Sequence, residues 1–228
     1  MNIIVNGGTR GIGKEVVLAL SRDPEKNILV TGRNTDALKE LSARQNVQAM
    51  MLDMSEFDIH ADKFFNFIAG SFMKVDILIN LAGLLVPKGF MDITDADARL
   101  MMETNFFGPA SVIRILKPLM PEGSHIVNIS SMGGFQGSSK YKGLSYYSAS
   151  KAALACLTEC LAEEFRDSGV KVNCLAIGSV QTEMLEEAFP GYRAPVCAKE
   201  MGEFISEFAL NGHKVFNGKV LPVALSNP

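Results

Sequence analysis

The chain has 228 residues, of which 47% are hydrophobic and 21% charged, with a formal net charge of −3. That length suffices for one large α/β domain with a substantial core. The mild acidity argues against a nucleic-acid binder, and no apolar run is long enough to span a bilayer. The N-terminal stretch MNIIVNGGTRGIG enters a strand-like run without a basic leader, so a cytoplasmic protein is expected.

Taken in chain order, short apolar runs alternate with longer helical patterns. The predicted strands are 2–6, 27–31, 47–51, 75–80, 124–130, 170–176 and 218–223. Most are apolar almost throughout, as strands covered on both faces are. The predicted helices are 11–22, 35–44, 57–72, 95–120, 147–168 and 198–210. The alternation implies a Rossmann-like, doubly wound parallel sheet of about seven strands with helices on both faces. No linker marks a second domain, so residues 1–228 read as one unit. One stretch, 182–197 (TEMLEEAFPGYRAPVC), reads as a long irregular loop.

The four cysteines, Cys156, Cys160, Cys174 and Cys197, form no CxxC pair, and the three histidines are scattered. Reduced structural thiols and no metal site are expected.

The first strand runs into Asn6-Gly7-Gly8-Thr9-Arg10-Gly11-Ile12-Gly13, and a helix begins there. Glycines let the backbone turn sharply and approach a ligand. A helix N-terminus offers free N–H groups and a positive dipole end, which suit a pyrophosphate. Tight packing of helix on strand is the plainer explanation of such a turn, but its place at the first strand–helix junction favours a nucleotide.

Near the middle of the chain stand Tyr146, Tyr147 and Lys151. Residues four apart on a helix lie about 40° from eclipsed, and residues five apart diverge by about 140°. Tyr147 therefore shares a face with Lys151 and Tyr146 does not. Tyr146 is expected to pack or to face solvent near the helix start. Ser130 and Ser131 point to opposite faces if both are in a strand.

Six motifs in order carry a resemblance over nearly the whole chain. They are the GxxxGxG of Gly7, Gly11 and Gly13; Asn80-Leu81-Ala82-Gly83; Asn105; Ile129-Ser130-Ser131; Tyr147 with Lys151; and the VNxxxxGxVxT run ending at Gly178, Val180 and Thr182. The chain resembles the short-chain dehydrogenase/reductase family, and is similar to 3-oxoacyl-acyl-carrier-protein reductase-like members.

The resemblance implies an NADP(H)-dependent oxidoreductase that reduces a carbonyl or oxidises the corresponding alcohol. Tyr147 would be the general acid or base. A free phenol has a pKa near about 10, and a Lys151 ammonium beside it would lower that value. Lys151 would also hold the nicotinamide ribose, Ser131 would bond the substrate oxygen, and Asn105 would hold a water that relays protons. Gly7, Thr9, Arg10, Gly11, Ile12 and Gly13 would cradle the phosphates. Asp53 and Met54 would meet the adenine; Asn80, Ala82 and Gly83 would flank the adenosine ribose. Gly178, Val180 and Thr182 would meet the nicotinamide.

After the second strand the chain reads Gly32-Arg33-Asn34, with no acidic residue to bond a ribose 2′-OH. Arg33 and Arg10 favour NADP(H) over NAD(H), because a planar cation suits a phosphate, and Asn34 beside Arg33 is a further candidate cofactor contact. Three departures from the family pattern stand out. Asn6 replaces a common Thr, Leu81 replaces a frequent Asn, and Ile177 replaces a Pro, so the loop after it loses a fixed φ. Ser131 and Tyr147 are 16 positions apart, so the segment between them must loop out.

Residues 182–197 occupy the family's substrate-lid position. Met184, Leu185, Phe189, Tyr192 and Pro195 suggest an apolar pocket or simply pack the lid down; Arg193 and Lys199 could meet an anion. The partner is a small carbonyl or alcohol. A homodimer or homotetramer through helices 94–118 and 147–168 is the family habit. A non-catalytic NADP(H)-binding sensor is the alternative reading. An extended sugar epimerase or dehydratase would need a larger C-terminal domain than 228 residues leave.

Overall fold

Seven apolar segments line up as one parallel sheet, seen in a computed structural model that describes residues 1–225. In chain order the strands are β1 (Asn2–Asn6), β2 (Asn27–Gly32), β3 (Val47–Met51), β4 (Ile77–Asn80), β5 (His125–Ser131), β6 (Lys171–Ile177) and, beyond two short strands introduced below, β9 (Val220–Val223). Their spatial order is β3-β2-β1-β4-β5-β6-β9. The order reverses between β1 and β4, which opens a crevice at the carboxyl ends of those strands. Pro222, which cannot donate to a ladder, sits on the edge strand β9.

Successive residues of each strand enter opposite layers, because side chains alternate across a sheet. Ile3, Val5, Ile28 and Val30 join one core with Val16, Val17 and Leu20 of α1 (Gly11–Leu20), Leu38 and Leu41 of α2 (Thr35–Ser42), and Met201, Ile205 and Phe208 of α8 (Ala198–Asn211). Ile4, Leu29, Leu78 and Ile126 join the other core with Phe64 and Ile68 of α3 (Phe57–Ser71), Val112, Ile113 and Leu116 of α5 (Gly108–Leu116), and Ala162 of α6 (Ser145–Glu164). Among the described residues no helix is long and apolar enough to cross a membrane.

The helix predicted over 95–120 is not continuous. It divides into α4 (Asp95–Met102), a single π turn at Glu103–Phe107, and α5. The cause is local. Pro109 has no N–H for the carbonyl of Asn105, and the Gly108 N–H reaches back five residues to Glu103 instead. The wider turn lies at Asn105, which is fully buried.

The stretch 182–197 is also more ordered than predicted. Thr182 caps α7 (Glu183–Ala188), its Oγ1 accepting from the Leu185 N–H at 3.3 Å. The flanking strands β7 (Val180–Gln181) and β8 (Val196–Cys197) pair in parallel. Gln181 binds the segment together: its Oε1 accepts from the Ala194 N–H at 2.9 Å and its Nε2 donates to Glu186 at 3.3 Å. Two-residue strands carry no periodicity, so apolar pattern could not reveal them.

At the opposite end of the sheet His125 is fully buried. Its Nδ1 donates to the Ala209 carbonyl at 2.9 Å and its Nε2 accepts from Asn173 at 3.0 Å. Burial depresses its pKa to about 4, well below an ordinary histidine. The ring is therefore neutral when folded and charges more readily when unfolded. The unfolded chain binds the extra proton between about pH 6.5 and about pH 4, so stability falls as pH drops through that window. The loss expected by pH 4 is up to about 3 kcal/mol. Urea unfolding from pH 7 to 4 should show it, and His125→Gln should flatten the curve there. A variant with an unaltered pH dependence would remove His125 as the cause.

Candidate active site

The cleft begins where β1 ends. The Gly7 and Gly8 N–H groups both donate to the Thr31 carbonyl at 3.0 Å, which folds the turn back against β2. Gly7 has φ +83°, and a Cβ there would stand 2.5 Å from the Ala82 nitrogen. A Cβ on Gly13 would stand 2.1 Å from the Gly7 carbonyl oxygen. Only glycine permits either contact, so the start of α1 lies directly against the turn. Arg10 precedes the helix with no side-chain cap, leaving the first N–H groups of α1 facing the cleft.

Fourteen of the residues singled out in the sequence line this one cleft: Gly7 to Gly13 except Gly8, Arg33, Asp53, Met54, Ala82, Gly83, Tyr147, Lys151 and Thr182. Six others stand outside its lining: Asn34, Asn80, Asn105, Ser131, Gly178 and Val180. Asn34 caps α2, its Oδ1 accepting from the Asp36 and Ala37 N–H groups. Asn80 is buried in the sheet. Gly178 donates its N–H to Val223 at 2.9 Å, and a Cβ there would press on Ala224. Val180 is buried in the core under β7. The cleft also has walls that the motifs did not single out for it, among them Thr31, Gly32, Thr104, Ile129, Ile177, Glu183 and Met184. A Gly directly ending β2 was the available signal for Gly32; a Cβ there would meet Thr9 Cγ2 at 2.5 Å.

A chain of buried amides supports the floor of the cleft. Thr31 donates its hydroxyl to Asn6 Oδ1 at 2.9 Å, and Asn6 donates to Asn80 Oδ1 at 2.9 Å. Asn80 donates to Asn128 Oδ1 at 2.8 Å, and Asn128 to Thr158 Oγ1 at 2.9 Å. Thr158 passes its own hydrogen to the Leu154 carbonyl at 3.0 Å. Register explains the line: Asn6 sits opposite Thr31 and Asn80, and Asn80 opposite Asn128. The chain thus crosses four strands and ends on α6.

At the far end, Ser130 and Ser131 separate as strand geometry requires. Ser130 is buried and donates to the Lys151 carbonyl at 2.7 Å, which ties β5 to α6. Ser131 is half-buried, accepts from the Gly133 N–H at 3.2 Å and lies beside the Tyr147 phenol. The long segment between them folds outward through a tight turn at Met132–Gly134, so the two hydroxyls still meet. Tyr146 turns away and stacks on Phe90, with ring centroids 5.9 Å apart.

The electrostatics correct one expectation. Burial raises the Tyr147 pKa above that of a free phenol, and the Ser131 hydroxyl opposes that rise only in part. Lys151 is 4% exposed, and its ammonium donates to the Ile129 carbonyl at 2.9 Å. Burial lowers its pKa to about 8. Nearby Cys174 is a buried thiol, pushed up to about 11 by its own burial. Asn105 accepts from the Leu84 N–H at 2.7 Å and donates to both the Leu84 carbonyl and Ser150. Its π turn thereby fixes the loop after Gly83 against α6.

Ile177, where the pattern has Pro, closes β6 in register with both Ser131 and Val223. The ladder supplies the restraint that a ring would have given. The two arginines carry ion pairs from distant segments: Arg33 with Asp53 at 3.6 Å, and Arg10 with Glu187 at 3.1 Å. The absence of an acid beside Arg33 in sequence did not mean absence in space.

Residues 1–193 match the short chain dehydrogenase family. The chain belongs to the short-chain dehydrogenase/reductase family. Among its relatives, dehydrogenase/reductase SDR family member 6 of Aquarana catesbeiana is 30% identical over 190 residues, covering 81% of this chain and 73% of that protein. An uncharacterized oxidoreductase of Staphylococcus saprophyticus is 30% identical over 210 residues, covering 88% of this chain and 87% of the relative. The fold matches a short chain dehydrogenase of Burkholderia cenocepacia solved in complex with NADP. That match has a TM-score of 0.85, 23% identity, and coverage of 97% and 95%. A short-chain dehydrogenase/reductase of this kind is an oxidoreductase with a nucleotide-binding Rossmann fold. The closer likeness to 3-oxoacyl-acyl-carrier-protein reductases has no such support.

Proposed function

We propose that the chain is an NADP(H)-dependent carbonyl reductase or alcohol dehydrogenase, acting as one nucleotide-binding unit with the lid at 182–197. The observation that carries this is the Tyr147 phenol, with the Ser131 hydroxyl beside it, lining the same cleft as the glycine turn. The residues fit a dinucleotide. The close approach of Gly7 to Ala82 and of Gly13 to Gly7 seats the start of α1, which no side chain caps, against the turn. Gly11, Ile12 and Gly13 would hold the pyrophosphate, Asp53 and Met54 the adenine, and Arg33 and Arg10 a 2′-phosphate. When bound, the nicotinamide supplies the hydride.

The protein supplies position and a proton. Tyr147, its phenol kept protonated by burial, donates to the substrate oxygen as negative charge develops there. Ser131 donates a second hydrogen bond to the same oxygen. Lys151, with a pKa near about 8, remains largely protonated at neutral pH and places a positive charge beside the site. Asn105 positions the Leu84 backbone and α6. Pairing of copies through the α4–α5 and α6 faces follows the family habit, and a cytoplasmic site of action accords with the sequence.

Loss of NADPH absorbance against a broad carbonyl panel tests the reading. Turnover on one chemical class names the substrate. Binding of NADPH with no turnover on any carbonyl would favour the sensor. Arg33→Ala should weaken NADPH by about tenfold and NADH by less than about twofold, read by fluorescence titration. Equal weakening would undo the 2′-phosphate assignment.

A further inference from the structure

Both arginines at the nucleotide end of the cleft are already engaged by carboxylates, and the two pairs are built differently. Asp53 is fixed. Its Oδ1 accepts from the Ser55 N–H at 2.9 Å and from the Ser55 hydroxyl at 2.8 Å, leaving Oδ2 toward Arg33 Nη1 at 3.6 Å. Burial would raise the Asp53 pKa, but the Ser55 bonds and Arg33 outweigh it and hold the carboxyl below its usual range. Glu187 is carried on α7 of the lid and reaches Arg10 Nη1 at 3.1 Å across an exposed surface. From the same helix, Glu183 brings its Oε2 to 3.4 Å from where a Cβ would stand on Gly11, at the head of α1.

We propose that Asp53 and Glu187 set how strongly the site prefers a 2′-phosphorylated nucleotide, because they compete with that phosphate for Arg33 and Arg10. The proposal deepens the NADP(H) reading and rests on it. A guanidinium can share its five N–H groups between two acceptors, but a doubly charged phosphate beside a carboxylate suffers like-charge repulsion. Asp53 cannot withdraw, since Ser55 pins it. Glu187 can, because its carboxylate is exposed and, among the described residues, held by Arg10 alone. Asp53 is therefore a permanent brake on 2′-phosphate affinity and Glu187 a releasable one. Exposed ion pairs are individually weak, so each carboxylate should change affinity several-fold rather than a thousandfold.

The test uses the full chain and two probes, adenosine 2′,5′-bisphosphate and adenosine 5′-monophosphate, with dissociation constants from titration calorimetry. Their ratio isolates the 2′-phosphate. Glu187→Gln keeps the exposed surface polar, and Asp53→Asn keeps the Oδ1 acceptor for Ser55. Glu187→Gln should tighten the bisphosphate by roughly three- to fivefold and move the monophosphate by less than about twofold; Asp53→Asn also alters the adenine contact and shifts both probes, but should tighten the bisphosphate relative to the monophosphate by a similar factor. The Glu187→Gln gain should shrink as salt is raised from about 0.01 to about 0.5 M, since its pair is exposed. Arg10→Met and Arg33→Met are the controls. If they loosen the bisphosphate while both carboxylate variants leave the ratio unchanged, the proposal is overturned and the NADP(H) reading stands. If neither arginine variant changes the ratio, the NADP(H) reading fails and the proposal with it.

Discussion

Tyr147→Phe should reduce carbonyl turnover by at least about a thousandfold while leaving NADPH affinity within about twofold. The substitution removes one oxygen and keeps the ring that packs at the start of α6. The phenol is the proton donor in the proposed reaction, and burial keeps it in the protonated form. Ser131 lies beside it but has no comparable acidity, and Lys151 is occupied with the Ile129 carbonyl. Neither can substitute directly. The measurement is kcat from NADPH absorbance on the best carbonyl substrate, with cofactor binding followed by fluorescence. A variant as active as the wild type would remove Tyr147 from the mechanism. A variant that also lost the cofactor would mean that the oxygen serves binding rather than proton transfer.

The second large effect concerns stability. Asn80→Leu keeps the volume and removes the central amide of the buried chain. It leaves the Asn6 Nδ2 donor and the Asn128 Oδ1 acceptor facing an apolar side chain. A buried polar group without a partner costs about 1–3 kcal/mol, so the pair implies a loss of about 2–6 kcal/mol. Urea unfolding should show a lower midpoint with an unchanged slope. Asn6→Thr should cost less, since a hydroxyl still donates and accepts. An Asn80→Leu protein that unfolds at the wild-type midpoint would show that the chain contributes nothing net.

Much of the fold was legible because its signals are local. The apolar runs at 2–6, 27–31 and 170–176 are strands buried on both faces, and no other element fits so short an apolar segment. Tyr147 could be chosen over Tyr146 from helical period alone, and the structure gives Tyr146 a partner in Phe90. What escaped depends on distance in sequence. Asp53 lies twenty residues from Arg33, and Glu187 comes from the other end of the chain to Arg10, so neither ion pair could be read beside its cation. The direction of the Tyr147 pKa depends on how deeply its ring is covered, which no spacing reveals. The break at Asn105 could have been anticipated from Pro109, four residues on, but a long amphipathic pattern masked it.

The amide chain beneath the cleft has a polarity. Every donor in it points the same way, from Thr31 through Asn6, Asn80 and Asn128 to Thr158 and finally the Leu154 carbonyl. Turning over Asn80 would set N–H against N–H toward Asn6 and oxygen against oxygen toward Asn128, and turning over Asn6 or Asn128 would break its match with Asn80. The three asparagines therefore hold or lose their orientation as a set, with the Thr158 hydroxyl anchoring the sense from α6. Sequence change at these positions is bound by the same rule. A residue at 80 is acceptable only in the company of those at 6 and 128, so variation at the centre of the chain should proceed by matched replacements rather than single steps.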